Sequence, residues 1–199
     1  MKEFVEQYFE PIKNMFFSIG IKNVTMDSIC TELGISKRTL YQKFNHKSQL
    51  VEEIVHKDIY NFIEKIKSAK NKSPNAIYET CLLFEIVKEK QDEICSSTLY
   101  DLKKYYYSLN EEIIIRINQT MIETITGIIE RGIEEGICRK NIESFRTAGL
   151  LSFIFHSFIM KSFVKPTNRI LTLNNLLDYH LHSICNQKGK TEWEKIKIQ

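Results

Sequence analysis

The sequence predicts an all-α protein, and three observations carry that reading. Only 7 glycines and 3 prolines punctuate 199 residues, whereas a sheet protein of this size needs many more turn residues. Ile, Leu, Lys and Glu are abundant and favour helix, and 43% of the chain is hydrophobic, enough for a sizeable core. Apolar residues also recur at helical spacing along most of the chain. Three segments are expected: a helix-turn-helix domain over 1–48, a larger helical domain over 49–187 and a polar tail over 188–199.

The first helix carries Tyr8, Ile12, Met15, Phe16 and Ile19 on one side, with Pro11 inside that series. Proline removes a helical hydrogen bond and clashes one turn back. The helix therefore either starts near Glu10 with Pro11 in its first turn, or is kinked there.

The second helix opens at Thr25, a residue suited to cap free N–H groups, with Asp27 in the first turn favouring the helix dipole. Val24 and Ile29 stand where a hydrophobic staple is made. The helix runs to about Leu33, and Gly34 follows where a left-handed residue ends it. Ser36 caps the third helix, and Ile35 with Leu40 repeats the staple. Two short helices joined by a glycine turn make a helix-turn-helix. Ile29, Leu33, Ile35, Leu40 and Phe44 can pack on the first helix, leaving Lys37, Arg38, Thr39, Gln42 and Lys43 outside. The whole chain has a formal charge of only +3, but five bases face two acids between Gly20 and Leu50. A short helix with basic and amide groups outward fits the major groove of DNA, and is equally the pattern of a solvated surface helix.

The joined pattern resembles the TetR family of transcriptional regulators. It consists of Phe16-x-x-x-Gly20, Thr25, Ile29, Leu33-Gly34-Ile35-Ser36, Thr39-Leu40-Tyr41, Phe44 and Lys47-x-x-Leu50, and covers roughly residues 8–50. The resemblance implies a recognition helix over 36–43. Lys37, Arg38 and Gln42 would read bases, while Thr25, Thr39, Tyr41 and Lys47 would meet phosphates. It implies double-stranded DNA with a palindromic operator as one partner and a second copy of the chain as another. The acids Glu3, Glu6 and Glu10 argue against the basic N-terminal arm that some relatives have.

Beyond the module, Leu50, Ile54, Ile59, Phe62, Ile63 and Ile66 predict a long helix over about 46–67. "SAKNKSPNA" breaks it, and Pro74 opens a helix to about Lys88. One or two aromatic-rich helices follow over 92–110, where the Tyr105–Tyr107 run must expose at least one ring. A long helix over 111–136 ends at Gly136. Residues 143–164 are apolar nearly all round, which suits a helix with core on one side and a partner subunit on the other. A last helix over 170–187 gathers Leu173, Leu176, Leu177, Leu181 and Ile184 on one face.

The resemblance implies that these two helices form the dimer interface, with Phe158, Leu173, Leu177, His180, Leu181 and Ile184 in it. It also implies a small-molecule pocket, for which Phe84, Tyr100, Tyr106, Asn118, Phe153 and Phe155 are the candidates; plain core is the other reading of the same aromatics. Trp193 either docks the tail or leaves it disordered.

The five cysteines are odd in number and far apart, with no C-x-x-C pair, which fits buried thiols of a reducing cytoplasm rather than a disulfide framework or zinc site. The start "MKEFVEQYFEP" is acidic where a secretory signal is apolar, and the apolar run 148–160 is too short to span a bilayer. A cytoplasmic protein with no membrane partner is expected. No metal cluster, nucleophile elbow or phosphate loop stands out, so neither an enzyme nor a cofactor is expected. The resulting expectation is a homodimeric repressor released from its operator by a small apolar or amphipathic ligand. The alternative is a DNA-binding regulator controlled by a protein partner or by no ligand.

Overall fold

The structure, a computed structural model, describes residues 2–160 and 172–197. The helices are α1 (Lys2–Ile19), α2 (Met26–Leu33), α3 (Lys37–Tyr41), α4 (Lys47–Lys72) and α5 (Ala76–Glu93), then α6 (Ser96–Tyr105), α7 (Tyr107–Glu134), α8 (Ser144–Ile159), α9 (Leu173–Ile184) and α10 (Gln187–Lys197). Among the described residues there is no strand, only an isolated antiparallel bridge between Cys138 and Cys185. The all-α expectation holds. The chain divides into two compact units, one built from 1–62 and 92–116, the other from 63–91 and 117–199.

In the first unit, α1 runs through Pro11 without interruption, so the late start at Glu10 is not taken. Proline inside a helix costs about 3 kcal/mol. Starting at Lys2 buries Phe4, Val5 and Phe9, each worth about 1.5–3 kcal/mol, which outweighs that cost. Pro11 itself faces solvent. Phe4 packs edge-on against Phe44 with ring centroids 5.6 Å apart, tying the first turn of α1 to the end of the helix-turn-helix.

The same unit includes α6, which closes the C-terminal end of α1. The Thr98 hydroxyl donates to the Phe16 carbonyl at 2.5 Å, and the Cys95 N–H to the Phe17 carbonyl at 2.9 Å. The Phe17 carbonyl is one that a helix end leaves without an internal partner, and the Phe16 carbonyl also accepts the Gly20 N–H at 3.1 Å. Gly20 (φ 91) lets the chain pass against α6, because a Cβ there would lie 2.9 Å from Ser97 Cβ. Asp101, buried, then accepts the Lys22 N–H at 2.7 Å.

In the second unit, Asn75 Oδ1 caps α5 by accepting the N–H groups of Ile77 and Tyr78 at 3.0 and 3.1 Å. Arg131 of α7 pairs with Glu79 at 2.9 Å and Glu135 at 2.7 Å, and donates to the Ser73 carbonyl at 3.2 Å. One guanidinium thus holds the start of α5 and the end of α7 together. α7 ends on Gly136 (φ 70). The predicted helices over 143–164 and 170–187 are seen as α8 and α9; their predicted portions 161–164 and 170–171 lie outside the described residues. α9 stops at Ile184 because the chain turns there into α10. Residues expected as a polar tail form this helix, docked by Trp193, whose Nε1–H donates to Asp178 Oδ1 at 2.9 Å.

Candidate nucleic-acid interface

The helix-turn-helix is fixed by local hydrogen bonds that its sequence dictates. Thr25 Oγ1 accepts the Ser28 N–H at 3.0 Å, and Ser28 Oγ accepts the Thr25 N–H at 2.9 Å, a reciprocal capping box. Val24 and Ile29 are fully buried beside it. Gly34 takes the left-handed conformation (φ 63), and the next N–H, of Ile35, reaches back to the Cys30 carbonyl at 3.0 Å. No other atom lies near where a Gly34 side chain would stand, so the backbone dihedral alone requires glycine. Ser36 Oγ accepts the Thr39 N–H at 3.1 Å and starts α3.

Leu40 and Phe44 are fully buried and fix the rotation of α3. Lys37, Arg38, Thr39, Tyr41, Gln42 and Lys43 are all exposed as a result. Leu33 and Ile35, expected inside, are only half-buried at the turn. The helix is shorter than the 36–43 the resemblance implies. It ends at Tyr41, and Gln42 caps it with its N–H on the Arg38 carbonyl at 2.9 Å. Gln42 keeps a right-handed helical backbone, so its side chain continues the same surface.

Three of these groups have partners that the spacing did not reveal. Lys37 Nζ lies 2.7 Å from Asp27 Oδ2, a bond between α3 and α2. That bond, and the carboxylate's charge, raise the Lys37 pKa above the ordinary lysine value. Thr39 Oγ1 lies 2.8 Å from Ser36 Oγ, which occupies part of its hydrogen-bonding capacity. Lys47, the first residue of α4, is half-buried and donates to the Ile21 carbonyl at 2.5 Å. Burial lowers its pKa, with Asp101 opposing the shift. Lys47 thus braces the turn between α1 and α2 while sitting at a helix N-terminus, where free N–H groups favour an anion. Thr25 is exposed at the start of α2. Nothing in the sequence spacing points to Asp101 or Thr98 as the residues that hold this module from α6.

The residues considered for a ligand pocket are divided between the two units. Tyr100 and Tyr106 belong to the first unit; Tyr100 is exposed and Tyr106 half-buried. In the second unit, Phe84 and Phe155 pack edge-to-face in the core with centroids 4.7 Å apart. Asn118 is half-buried, and Phe153 is 63% exposed. Phe84 does border a groove of about 240 Å3 between α5, α9 and α10, with Cys81, Glu85, Lys88, Leu173, Leu177 and Trp193 among its walls. Burial, reinforced by Glu85, pushes the Cys81 thiol up to about 11.

The residues expected at a dimer interface are mostly inside the chain's own core. Phe158, Leu173, His180, Leu181 and Ile184 are buried within this single chain, and Leu177 is half-buried. The exposed apolar residues on α8 and α9 are instead Phe145, Leu150, Phe153 and Tyr179, exposed by 69, 63, 63 and 71%. A helix apolar all round gives no sign of which face its own chain covers, and α9's leucine stripe serves the intramolecular core. Phe145 and Phe153 stand two turns apart, so the second stripe was present in the sequence.

Residues 12–54 match the family model described as bacterial regulatory proteins, tetR family. The uncharacterised HTH-type transcriptional regulator YvaF of Bacillus subtilis is 31% identical over 111 residues, covering 53% of this chain and 54% of its own. An HTH-type transcriptional regulator of Staphylococcus aureus is 37% identical over 57 residues, covering 29% of this chain and 31% of its own. The matched stretch thus spans about half or less of the length of these relatives. Among solved structures, a TetR transcription regulator from Haloarcula marismortui superposes with a TM-score of 0.75 at 14% identity, over 94% of this chain and 100% of that one. AibR, solved with isovaleryl coenzyme A and operator DNA, superposes with a TM-score of 0.55 at 16% identity, over 87% and 93%. At such identities the structures speak for the fold. The curated relatives are regulators and not enzymes, in agreement with the sequence reading. With the family model falling on the module whose caps, glycine turn and outward basic face are described above, residues 12–54 form a helix-turn-helix module of the bacterial tetR family, and the chain around it has the fold of solved TetR regulators.

Proposed function

We propose that this chain is a homodimeric DNA-binding transcriptional regulator, a repressor that leaves its operator when a small apolar or amphipathic ligand binds. The observation that carries the DNA-binding part is the outer face of α3. Leu40 and Phe44 hold it in one orientation, and Lys37, Arg38 and Gln42 project from it with Tyr41 and Thr39 beside them. Lys, Arg and Gln can bind a base edge, which suits Lys37, Arg38 and Gln42 to read sequence, while the hydroxyls of Thr39 and Tyr41 and the ammonium of Lys47 meet phosphates. No helix among the described residues is long and apolar enough to cross a membrane.

The dimer part is supported by Phe145, Leu150, Phe153 and Tyr179. Four large apolar side chains left in water on α8 and α9 are what a partner subunit would cover. An isologous pairing of that surface gives a two-fold axis, matching a palindromic site whose half-sites lie about 34–36 Å apart.

The ligand part is supported by analogy with AibR, whose solved complex contains an acyl coenzyme A together with operator DNA. In this chain the groove beside Phe84 is smaller than the roughly 300–1,000 Å3 of most ligand sites, and the Phe84–Phe155 pair fills core. That packing favours a second reading, a regulator controlled by a protein partner or by no ligand. The two are separated by melting curves and operator binding across a panel of apolar and amphipathic compounds. The first reading expects a compound that raises the melting temperature and weakens DNA binding; the second expects none.

A further inference from the structure

We propose that Cys138 and Cys185 are a dithiol pair that closes to a reversible intramolecular disulfide when the protein meets a hydroperoxide. The two residues face each other across the isolated antiparallel bridge between the α7–α8 connection and the α9–α10 connection. The flanking backbone bonds are Arg139 N–H to the Ile184 carbonyl at 2.9 Å and Asn186 N–H to the Ile137 carbonyl at 3.0 Å. That pattern makes 138 and 185 a non-hydrogen-bonded pair, the position in which Cα atoms approach to about 4.5 Å and side chains stand closest. It falls inside the Cα separation that a disulfide spans without backbone movement. The two thiols interact directly with each other.

The surroundings hold this register and leave room for two sulfurs. The Asn186 side chain donates to the carbonyls of Gly136 at 3.0 Å and Cys138 at 3.3 Å, and accepts the Gly189 N–H at 3.1 Å. Two glycines flank the pair. A Cβ at Gly132 would collide with Cys138 Sγ, and one at Gly189 would lie 2.9 Å from Cys185 Cβ and 3.0 Å from its sulfur. Any other residue at either place would push a thiol out of line.

The chemistry divides the roles. The contact with Cys138, helped by Lys190, holds Cys185 below the ordinary thiol value, whereas the same contact and burial push Cys138 up. Either thiol, once deprotonated, can attack; with Cys185 as the thiolate, Cys138 resolves. Both thiols are buried, so the step needs an oxidant as small as hydrogen peroxide, admitted by local opening. The Cys185 sulfur bonds to one peroxide oxygen as the O–O bond breaks, and the departing hydroxide becomes water with the proton Cys185 released. The Cys138 sulfur then attacks the Cys185 sulfenic acid. The S–S bond forms, the S–O bond breaks, and the Cys138 proton leaves with the hydroxyl as water. Two thiols and one peroxide give one disulfide and two waters.

The ring so closed contains α8 and α9, the helices that carry the exposed apolar face. Cross-linking a loop of this length constrains the unfolded chain strongly. The device is a staple that oxidation sets on those two helices, and it does not depend on what the protein binds.

The test is titration of the full-length chain with hydrogen peroxide, followed by alkylation under denaturing conditions and peptide mapping, with melting curves on the same samples. The expected result is loss of the Cys138 and Cys185 thiols together, a peptide linking them, a melting temperature higher by about 5–15 °C, and full reversal by dithiothreitol. Cys185→Ser and Cys138→Ser should each abolish both the linked peptide and the rise. If a serine variant folds poorly, the mapping on the wild-type chain decides alone. Oxidation that consumes Cys30, Cys81 or Cys95 while Cys138 and Cys185 stay alkylable, or that links other pairs, overturns the proposal.

Discussion

Lys37 Nζ of α3 is hydrogen-bonded to Asp27 Oδ2 of α2 at 2.7 Å, so the first cation of α3 is held by a carboxylate on its own molecule. Both side chains are more than half exposed, and in water such a pair contributes little to stability. Its consequence is for binding. On the proposed reading, DNA bound at α3 competes with Asp27 for Lys37 and lies beside a negative charge.

Asp27→Asn should therefore tighten binding to all duplexes, specific and non-specific alike. It should also steepen the dependence of affinity on salt by about one unit in the log–log slope. Fluorescence anisotropy at several salt concentrations measures both. Unchanged affinity on both kinds of DNA would place Asp27 away from the duplex.

The exposed face of α8 gives a second prediction. Phe153→Glu should split the dimer, seen by sedimentation velocity, while leaving the monomer's urea midpoint near that of the wild type. Leu181→Ala, a change in the core of α9, should instead destabilise the fold by about 2–5 kcal/mol. Were Leu181→Ala to dissociate the dimer without destabilising the monomer, α9's leucine stripe and not the Phe153 face would be the interface.

How much of this was legible beforehand differs from one element to another. The caps Thr25 and Ser36, the Gly34 turn and the staple of Val24 with Ile29 could all be read, because each is fixed by neighbours within five residues. The outward direction of Lys37 and Arg38 followed from the burial of Leu40. The attachment of α6 could not be read, because Thr98 and Asp101 meet the Phe16 carbonyl and the Lys22 amide across about eighty positions of sequence. The partners of Lys37 and Lys47 were hidden for the same reason, since a lysine in a basic run gives no sign of which acceptor it meets. On α8 and α9 apolar residues cover more than one face. Periodicity then names the candidates but not which are covered by the chain itself, and so it did not show that Phe158 and Leu181 are buried within the chain while Phe145 and Phe153 are exposed.

The grip of α6 on the α1–α2 turn yields a third prediction. Asp101→Ala leaves the Lys22 N–H without its acceptor in a part-buried place, which costs about 1–3 kcal/mol. Asp101→Asn keeps an acceptor oxygen and should lie much closer to the wild type. Urea unfolding of the three proteins checks the order.

His180 supplies a prediction about pH. It is buried with its ring 6.3 Å from that of Phe84, and burial lowers its pKa from 6.5 to about 4. Above about pH 6.5 the imidazole is neutral in both states and adds no pH dependence. Below that, the unfolded chain takes up a proton that the folded chain refuses until about pH 4. Stability therefore falls as pH drops through this window, by up to about 1.4 kcal/mol per pH unit. His180→Phe removes this contribution, so the stability difference between variant and wild type should shift in the variant's favour between pH 7 and pH 5. A difference that stays constant over that range would mean His180 titrates alike in both states.

The central claim, that α3 reads DNA, is tested most directly by selecting bound duplexes from a random pool with the wild-type chain and with Arg38→Ala, at two salt concentrations. The account predicts that the wild type enriches a palindrome with half-sites about one helical turn apart. Arg38→Ala should lose preference at one base pair in each half-site, a loss worth roughly 1–3 kcal/mol there, with the rest of the site unchanged. An unenriched pool with the wild type, or a variant that enriches the identical site with undiminished preference at every position, would contradict it.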